Sequence, residues 1–332
     1  MSHSRWTAPA CVDPLGYVYA LIAAVLFGAN GSLAKVVLEA GITPAQLTFV
    51  RVLTVTLIAG VWLLATDRTA FRIGWRQLGI MAVLGVVGIA LLQWSYAVAL
   101  TLLPVGLTLL LEYLAVVAVA VIAKLVFKEQ VKARLWLAIA LVLVGLALVA
   151  QIGRGDVSPI GVLFALGAAA SLTVYFLVGE RQVTASSPLV VAFWAMGFAA
   201  LFWAVFSGWW QVDPALLLSP VSLGGALDAV VLPVWIPLAV TAVVGTFAPF
   251  LFSFLALKHL TATAAGITSS AEVLFAFAVA WLWLGEALDL AQLLGVAIVT
   301  AGIVLAQTAR VNKLIDPEPA AIALLPADRA DN

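Results

Sequence analysis

Of the 332 residues, 65% are hydrophobic and only 10% are charged, whereas a soluble domain carries about 45–50% apolar and about 25% charged residues. No water-exposed surface can be built from that supply, and the lipid bilayer becomes the expected partner. The 16 basic and 16 acidic side chains cancel, which removes the overall field that would draw nucleic acid. One cysteine and two histidines allow no internal disulfide and no metal cluster, so neither metal nor cofactor is expected.

The first 14 residues read as a short polar cytoplasmic tail. The apolar run that follows is too long for a signal peptide and lacks a small-residue cleavage site. Runs long enough to cross a hydrocarbon core, about 20 residues each, follow at Leu15–Val37, Pro44–Ala65, Trp75–Ala99, Pro104–Val126 and Leu135–Ala150. Five more stand at Pro159–Val178, Pro188–Trp210, Trp235–Leu257, Ala262–Leu284 and Leu288–Thr308. With no water to satisfy free backbone groups, runs of this length must be helical. The predicted fold is therefore an all-α integral membrane protein of ten transmembrane helices. Gln211–Val234, with three prolines and two adjacent glycines, reads as a long surface loop, and 313–332 as a disordered cytoplasmic tail.

Basic loops are retained in the cytoplasm. With both termini inside, thirteen of the sixteen Lys and Arg residues fall on the cytoplasmic side, Lys35 and Arg154 fall outside, and Arg51 lies within a span. That asymmetry sets the expected orientation, a multi-pass protein of a bacterial-type plasma membrane with cytoplasmic ends.

The chain also repeats itself. A shift of 160 residues aligns Leu100–Ala120 with Leu260–Ala280 at nine identities in 21 positions, against about two expected from apolar composition. Thr101 meets Thr261, Gly106 meets Gly266, Thr108 meets Thr268 and Glu112 meets Glu272. A shift of 157 pairs Glu129 with Glu286 and Gly145 with Gly302, while Pro14-Leu-Gly16 matches Pro159-Ile-Gly161 and Thr43-Pro44 matches Ser187-Pro188. Two five-helix repeats are implied, at 15–151 and 159–308. Because five is odd, the second must enter the membrane in the opposite sense, which is a recurring architecture of secondary transporters with a midplane site between the halves.

The segments Phe27-Gly-Ala-Asn30, Arg51 and the two Glu-centred stretches resemble the EamA-type transporters of the drug/metabolite transporter superfamily. Tyr96-Ala-Val-Ala-Leu100, Pro104-Val-Gly106 and Leu111-Glu-Tyr-Leu114 are most similar to the threonine/homoserine exporter-like branch. Ser270-Ala-Glu272-Val-Leu-Phe275 and Leu284-Gly-Glu286 are similar to the general pattern. The family usually places a proline shortly after the glutamate, and here Tyr113–Val116 and Val273–Ala276 contain none. The resemblance implies export of an amino acid or related small solute, driven by a proton or by the solute gradient, and the sequence, with no H-E-x-x-H or G-x-S-x-G motif and no Asp/His cluster at an interface, gives no expectation of enzymatic activity. A non-transporting polytopic scaffold or receptor is the alternative, and nothing in the sequence sets an oligomeric state.

Glu112 and Glu272 fall about 12–17 Å into their spans at 1.5 Å per residue, near the midplane. A carboxylate there costs about 2.5–3.5 kcal/mol unless it faces protein or water. Thr108 and Thr268 stand one turn earlier on the same faces. Each glutamate, with Tyr113 beside the first, is either a substrate or proton partner or an interhelical hydrogen bond that locks the bundle. Arg51 could hold a substrate carboxylate, pair with Glu112, bond a helix end or snorkel outward. Asn30 lies among Gly28, Gly31 and Ser32, a composition suited to close helix packing as well as to a polar contact. Gln93, Trp94, Tyr96, Tyr175 and Trp194 could line a cavity, although Trp and Tyr at span ends also form the interface belt.

Overall fold

The computed structural model describes residues 14–125, 134–149, 157–259, 268, 271–285 and 289–309. Helix starts follow the chemistry of the sequence. Thr43 closes a capping box with Gln46, accepting from Gln46 N at 3.3 Å while Gln46 Oε1 accepts from Thr43 N at 3.0 Å, and Pro44 occupies the first helical turn. Ser158 before Pro159 and Ser187 before Pro188 cap their helices with one bond each, accepting from Gly161 N and Val190 N.

Among the described residues, six helices are long and apolar enough to cross a membrane, including Leu15–Glu39, Pro44–Thr66, Trp75–Leu100 and Pro188–Phe206. The other predicted spans contain shorter or interrupted helices. Pro104–Val126 holds Val105–Glu112 and Leu114–Leu125, separated by a turn at Tyr113. The fifth and tenth predicted spans hold Arg134–Val149 and Leu290–Ala309, and the ninth holds Ala271–Val279. The seventh stops at Phe206 rather than at Trp210, because Gly208 turns the chain with φ +65°. Among the described residues, three α-helices pass into wider π-helical turns, at Leu84–Ala90, Val243–Phe247 and Ala280–Leu284.

Among the described residues, two larger hydrophobic clusters organise the interior, one around Leu47, Leu100, Leu110, Val273 and Val299, the other around Val52, Met81, Leu84, Met196 and Trp203, with a smaller one of Ala115, Ala169 and Leu172. The helix neighbours follow an exchange pattern. The first helix, Pro14–Glu39, packs on Ala248–His259 and Ala271–Val279 of the second half. Its counterpart Pro159–Ala185 packs on Leu91–Leu100, Val105–Glu112 and Leu114–Leu125 of the first. Counterparts also pair directly, Pro44–Thr66 with Pro188–Phe206 and Arg134–Val149 with Leu290–Ala309.

The last pair displays the relation between the halves in atomic detail. A Cβ on Gly145 would approach Val299 Cγ2 to 2.6 Å and Gly295 O to 2.7 Å, and one on Gly302 would approach Val142 Cγ2 to 2.7 Å and Ala138 O to 3.0 Å. Adding 157 to 138, 142 and 145 gives 295, 299 and 302, so the two contacts are copies of each other. The residue number rises on one helix as it falls on the other, which makes the crossing antiparallel. Equivalent helices that cross antiparallel are related by an axis perpendicular to their length.

The long loop is not wholly irregular, a departure from the all-α expectation. It contains a short helix, Pro214–Leu218, and a hairpin in which Pro220–Ser222 pairs antiparallel with Val231–Pro233. Ser222 Oγ donates to Asp228 within the turn, and Trp283 Nε1 donates to Leu223 O at 3.0 Å, tying the loop to the second half. On the outside of the bundle Val61, Leu163, Leu201 and Val205 are each more than 60% exposed. Apolar exposure of that extent around helices of this length fits lipid and not water.

Candidate functional site

Threonine hydroxyls inside the bundle are mostly taken up by their own helices. Thr48, Thr56, Thr173 and Thr241 each donate to the carbonyl four residues earlier, and fully buried Thr108 does the same to Pro104 O at 3.0 Å. Such bonds satisfy a polar group where water is absent. They also leave Thr108 with its proton already committed. Thr268 is described as helical and half-buried.

Two sets of polar residues are not disposed of so locally. In the first, the helix Val105–Glu112 ends at Glu112, and Tyr113 adopts φ −68°, ψ −4° before the chain resumes at Leu114. The break occurs without the proline expected of the family. It lets Tyr113 OH cross between the halves and donate to Glu272 Oε2 at 2.7 Å. Glu272 is held close to the first helix, since a Cβ on Gly28 would lie 2.9 Å from Glu272 O and from Ala276 N. Glu112 lies within electrostatic reach of Glu272, but among the described residues its carboxyl receives no hydrogen bond and it is only half-buried. The repeat-related glutamates are thus brought together and used differently, one bonded and one available.

The second set surrounds Arg51, which is 5% exposed. The snorkelling alternative is therefore overturned: the side chain turns inward. Arg51 Nε donates to Thr246 Oγ1 at 2.9 Å, and that hydroxyl donates in turn to Thr241 O at 2.9 Å. The helical threonines named above reach four residues back and Thr246 reaches five, because Val243–Phe247 is a π-helical turn. Gly245, next to Thr246, has the Asn30 amide directly against its Cα, leaving no room for a Cβ. Arg51 and Asn30 thus converge on consecutive residues of one wide turn. Among the described residues, Arg51 Nη1 and Asn30 Oδ1 are buried without a hydrogen-bond partner, as are both amide atoms of Gln93 and Ser32 Oγ. The Arg51 charge lies within electrostatic reach of Tyr96 and Glu112, and the Tyr96 hydroxyl sits over Gly31 of the first helix.

The remaining predicted residues divide. Tyr175 packs with its backbone against Gly88, in the π-helical turn Leu84–Ala90. Trp94 packs edge-on to Phe164 and tilted against Trp203. Trp194 donates to Ala70 O at 3.1 Å and lines an apolar groove of about 330 Å³ between Pro44–Thr66 and Pro188–Phe206. That groove is a different place from the glutamates, so the structure does not join Trp194 to them. Ser269, Ser270 and Glu286, like Thr261 and Gly266, lie outside the described residues.

Sequence reasoning missed Gly245, Thr246 and Thr241. A signal was present, because the shift of 160 also pairs Ala82-Val83 with Ala242-Val243 and Gly85 with Gly245. Both glycines sit in π-helical turns against the other half, Gly85 on the Ala195 carbonyl and Gly245 on Asn30.

A family model described as the EamA-like transporter family matches residues 14–151 and 159–308. One solved structure, described only as a crystal structure of a protein, is 19% identical, with a TM-score of 0.58 over 90% of this chain and 99% of that one, a likeness of fold alone. No curated protein sequence matches.

Proposed function

The chain belongs to the EamA-like transporter family, and from that premise we propose that it exports a small metabolite, an amino acid or related amine, by alternating access. Two inverted halves of five spans each, at 15–151 and 159–308, rock about a midplane cavity. Both termini are cytoplasmic, in a bacterial-type plasma membrane. The observation that carries this reading is the half-buried Glu112 carboxyl, free of hydrogen bonds among the described residues, beside a Tyr113–Glu272 bond that links the halves.

A lone carboxyl near the midplane is costly unless it meets water or a solute. In this reading Glu112 receives the solute ammonium or the driving proton. Glu272, bonded to Tyr113, holds the halves in one of their two arrangements. Inverted repeats supply a second arrangement of similar energy, and a solute shifts the balance only by its difference in affinity for the two. The threonine/homoserine exporter-like segments Tyr96–Leu100 and Leu111–Leu114 favour an amino-acid-sized cargo.

Everted vesicles carrying Glu112→Gln and Glu272→Gln test the assignment, with a panel of amino acids, amines and dyes offered with and without a pH gradient. Glu112→Gln is expected to abolish saturable flux while the protein remains folded and inserted, and Glu272→Gln to reduce it in part. Undiminished flux in Glu112→Gln removes that residue from the mechanism.

A further inference from the structure

We propose that Arg51, held by Thr246, is a carboxylate subsite, so that the solute is a zwitterion and not a bare amine. This rests on the export role above and narrows its substrate class.

Arg51 is more than nine-tenths buried and carries a guanidinium into the bundle, where an unpaired charge is costly. Within the described residues that charge is not neutralised by an ion pair, and the one hydrogen bond made by the guanidinium is from Nε to Thr246. Among the described residues Nη1 has nothing to donate to. Guanidinium is a planar fork whose N–H groups match the two oxygens of a carboxylate, and fixing Nε leaves the outer nitrogens as the free part of that fork.

The hold on Nε depends on the π-helical turn. Thr246 Oγ1 gives its own proton to Thr241 O five residues back and thereby turns an acceptor lone pair toward Arg51. Asn30, packed against the adjacent Gly245, is a second buried polar side chain whose Oδ1 has no hydrogen-bond partner among the described residues. Glu112 lies within electrostatic reach of Arg51 without an ion pair between them. An acid and a base kept apart in one interior match the two ends of an amino acid, each sparing the other the desolvation of an unpaired charge. The repeat gives no second copy of this device, because Pro44 pairs with Pro188 and the position equivalent to Arg51 is Ala195. A single orientation of the solute follows.

The test uses purified protein and three pairs of probes: L-threonine with 1-amino-2-propanol, L-leucine with 3-methylbutylamine and L-phenylalanine with phenethylamine. Equilibrium binding should favour at least one amino acid over its amine by about tenfold or more. Arg51→Gln should erase that preference. Thr246→Val, similar in volume, should narrow it by about threefold or more, and decides the matter alone if Arg51→Gln does not fold. An amine bound as tightly as its amino acid by the wild type, a preference unchanged in the variants, or no binding at all overturns the subsite. Flux of the same probes in proteoliposomes is scored separately. Flux indifferent to the carboxylate sinks the subsite and keeps export, whereas a carboxylate preference in binding without any flux keeps the subsite and sinks export.

Discussion

Tyr113→Phe removes one hydroxyl and nothing else from the contact between the halves. The lost bond is Tyr113 OH to Glu272 Oε2 at 2.7 Å, and Tyr113 is otherwise packed in the main hydrophobic cluster with 8% exposure. Hydrogen bonds between helices in a bilayer contribute about 0.6 kcal/mol on average and up to about 1.7 kcal/mol. The exchange of roles between repeats cannot rebuild this one, because the residue equivalent to Tyr113 is Val273, which has no donor to offer Glu112. The bond therefore favours the present arrangement over its repeat-related alternative. Since about 1.4 kcal/mol is a factor of ten, the substitution should lower the ratio of the bonded to the alternative arrangement by about threefold to about twentyfold. Spin labels at the exposed positions Arg72 and Arg181, one in each half, with Cys11 replaced, would report the two populations as distances. An unchanged distance distribution in a folded Tyr113→Phe protein would refute the idea that this bond distinguishes two states.

Gly145→Leu and Gly302→Leu should each lower thermal stability, by about 1–3 kcal/mol for forced overpacking, and to similar extents because their contacts are copies; a melting curve in detergent checks both. Gly245→Ala should be destabilising because its Cβ would collide with Asn30, and Asn30→Gly in the same chain should recover much of the loss, an interaction read from a double-mutant cycle. In a cysteine-free background, a cysteine at exposed Gly74 should be shielded from impermeant reagent in intact cells and one at exposed Ala229 should react. Reaction of residue 74 from outside would reverse the assigned orientation. Ala70 is unsuited to such a test, being buried with its carbonyl bonded to Trp194.

What was legible in the sequence was whatever leaves a linear trace. Proline after Thr or Ser marked the helix starts, and apolar runs marked the six long helices. The shift of 157 that paired Gly145 with Gly302 marked one of the crossings where counterpart helices meet. Glu112 and Glu272 were legible as a pair because charge is rare in such a chain. Their division of labour was not, since it depends on a break at Tyr113 that no proline announces. Arg51 was visible but its partner was not. Thr246 looks like any other threonine in an apolar run, and only the extra residue per turn of a π-helix lets its hydroxyl reach five residues back and accept from Arg51. Trp194 shows the opposite failure, because an amphipathic ring suits a cavity and a peripheral groove equally well.

The central claim is that the two halves move a solute across the bilayer, and counterflow in proteoliposomes tests it most directly. Vesicles preloaded with one unlabelled amino acid at a time and diluted into a trace of the labelled form should accumulate label transiently and saturably when they carry the wild-type protein, and should not do so with Glu112→Gln inserted at the same density. Absence of counterflow for every member of a broad panel of amino acids and amines, from protein shown to be folded and inserted, would contradict transport and leave a membrane scaffold in its place.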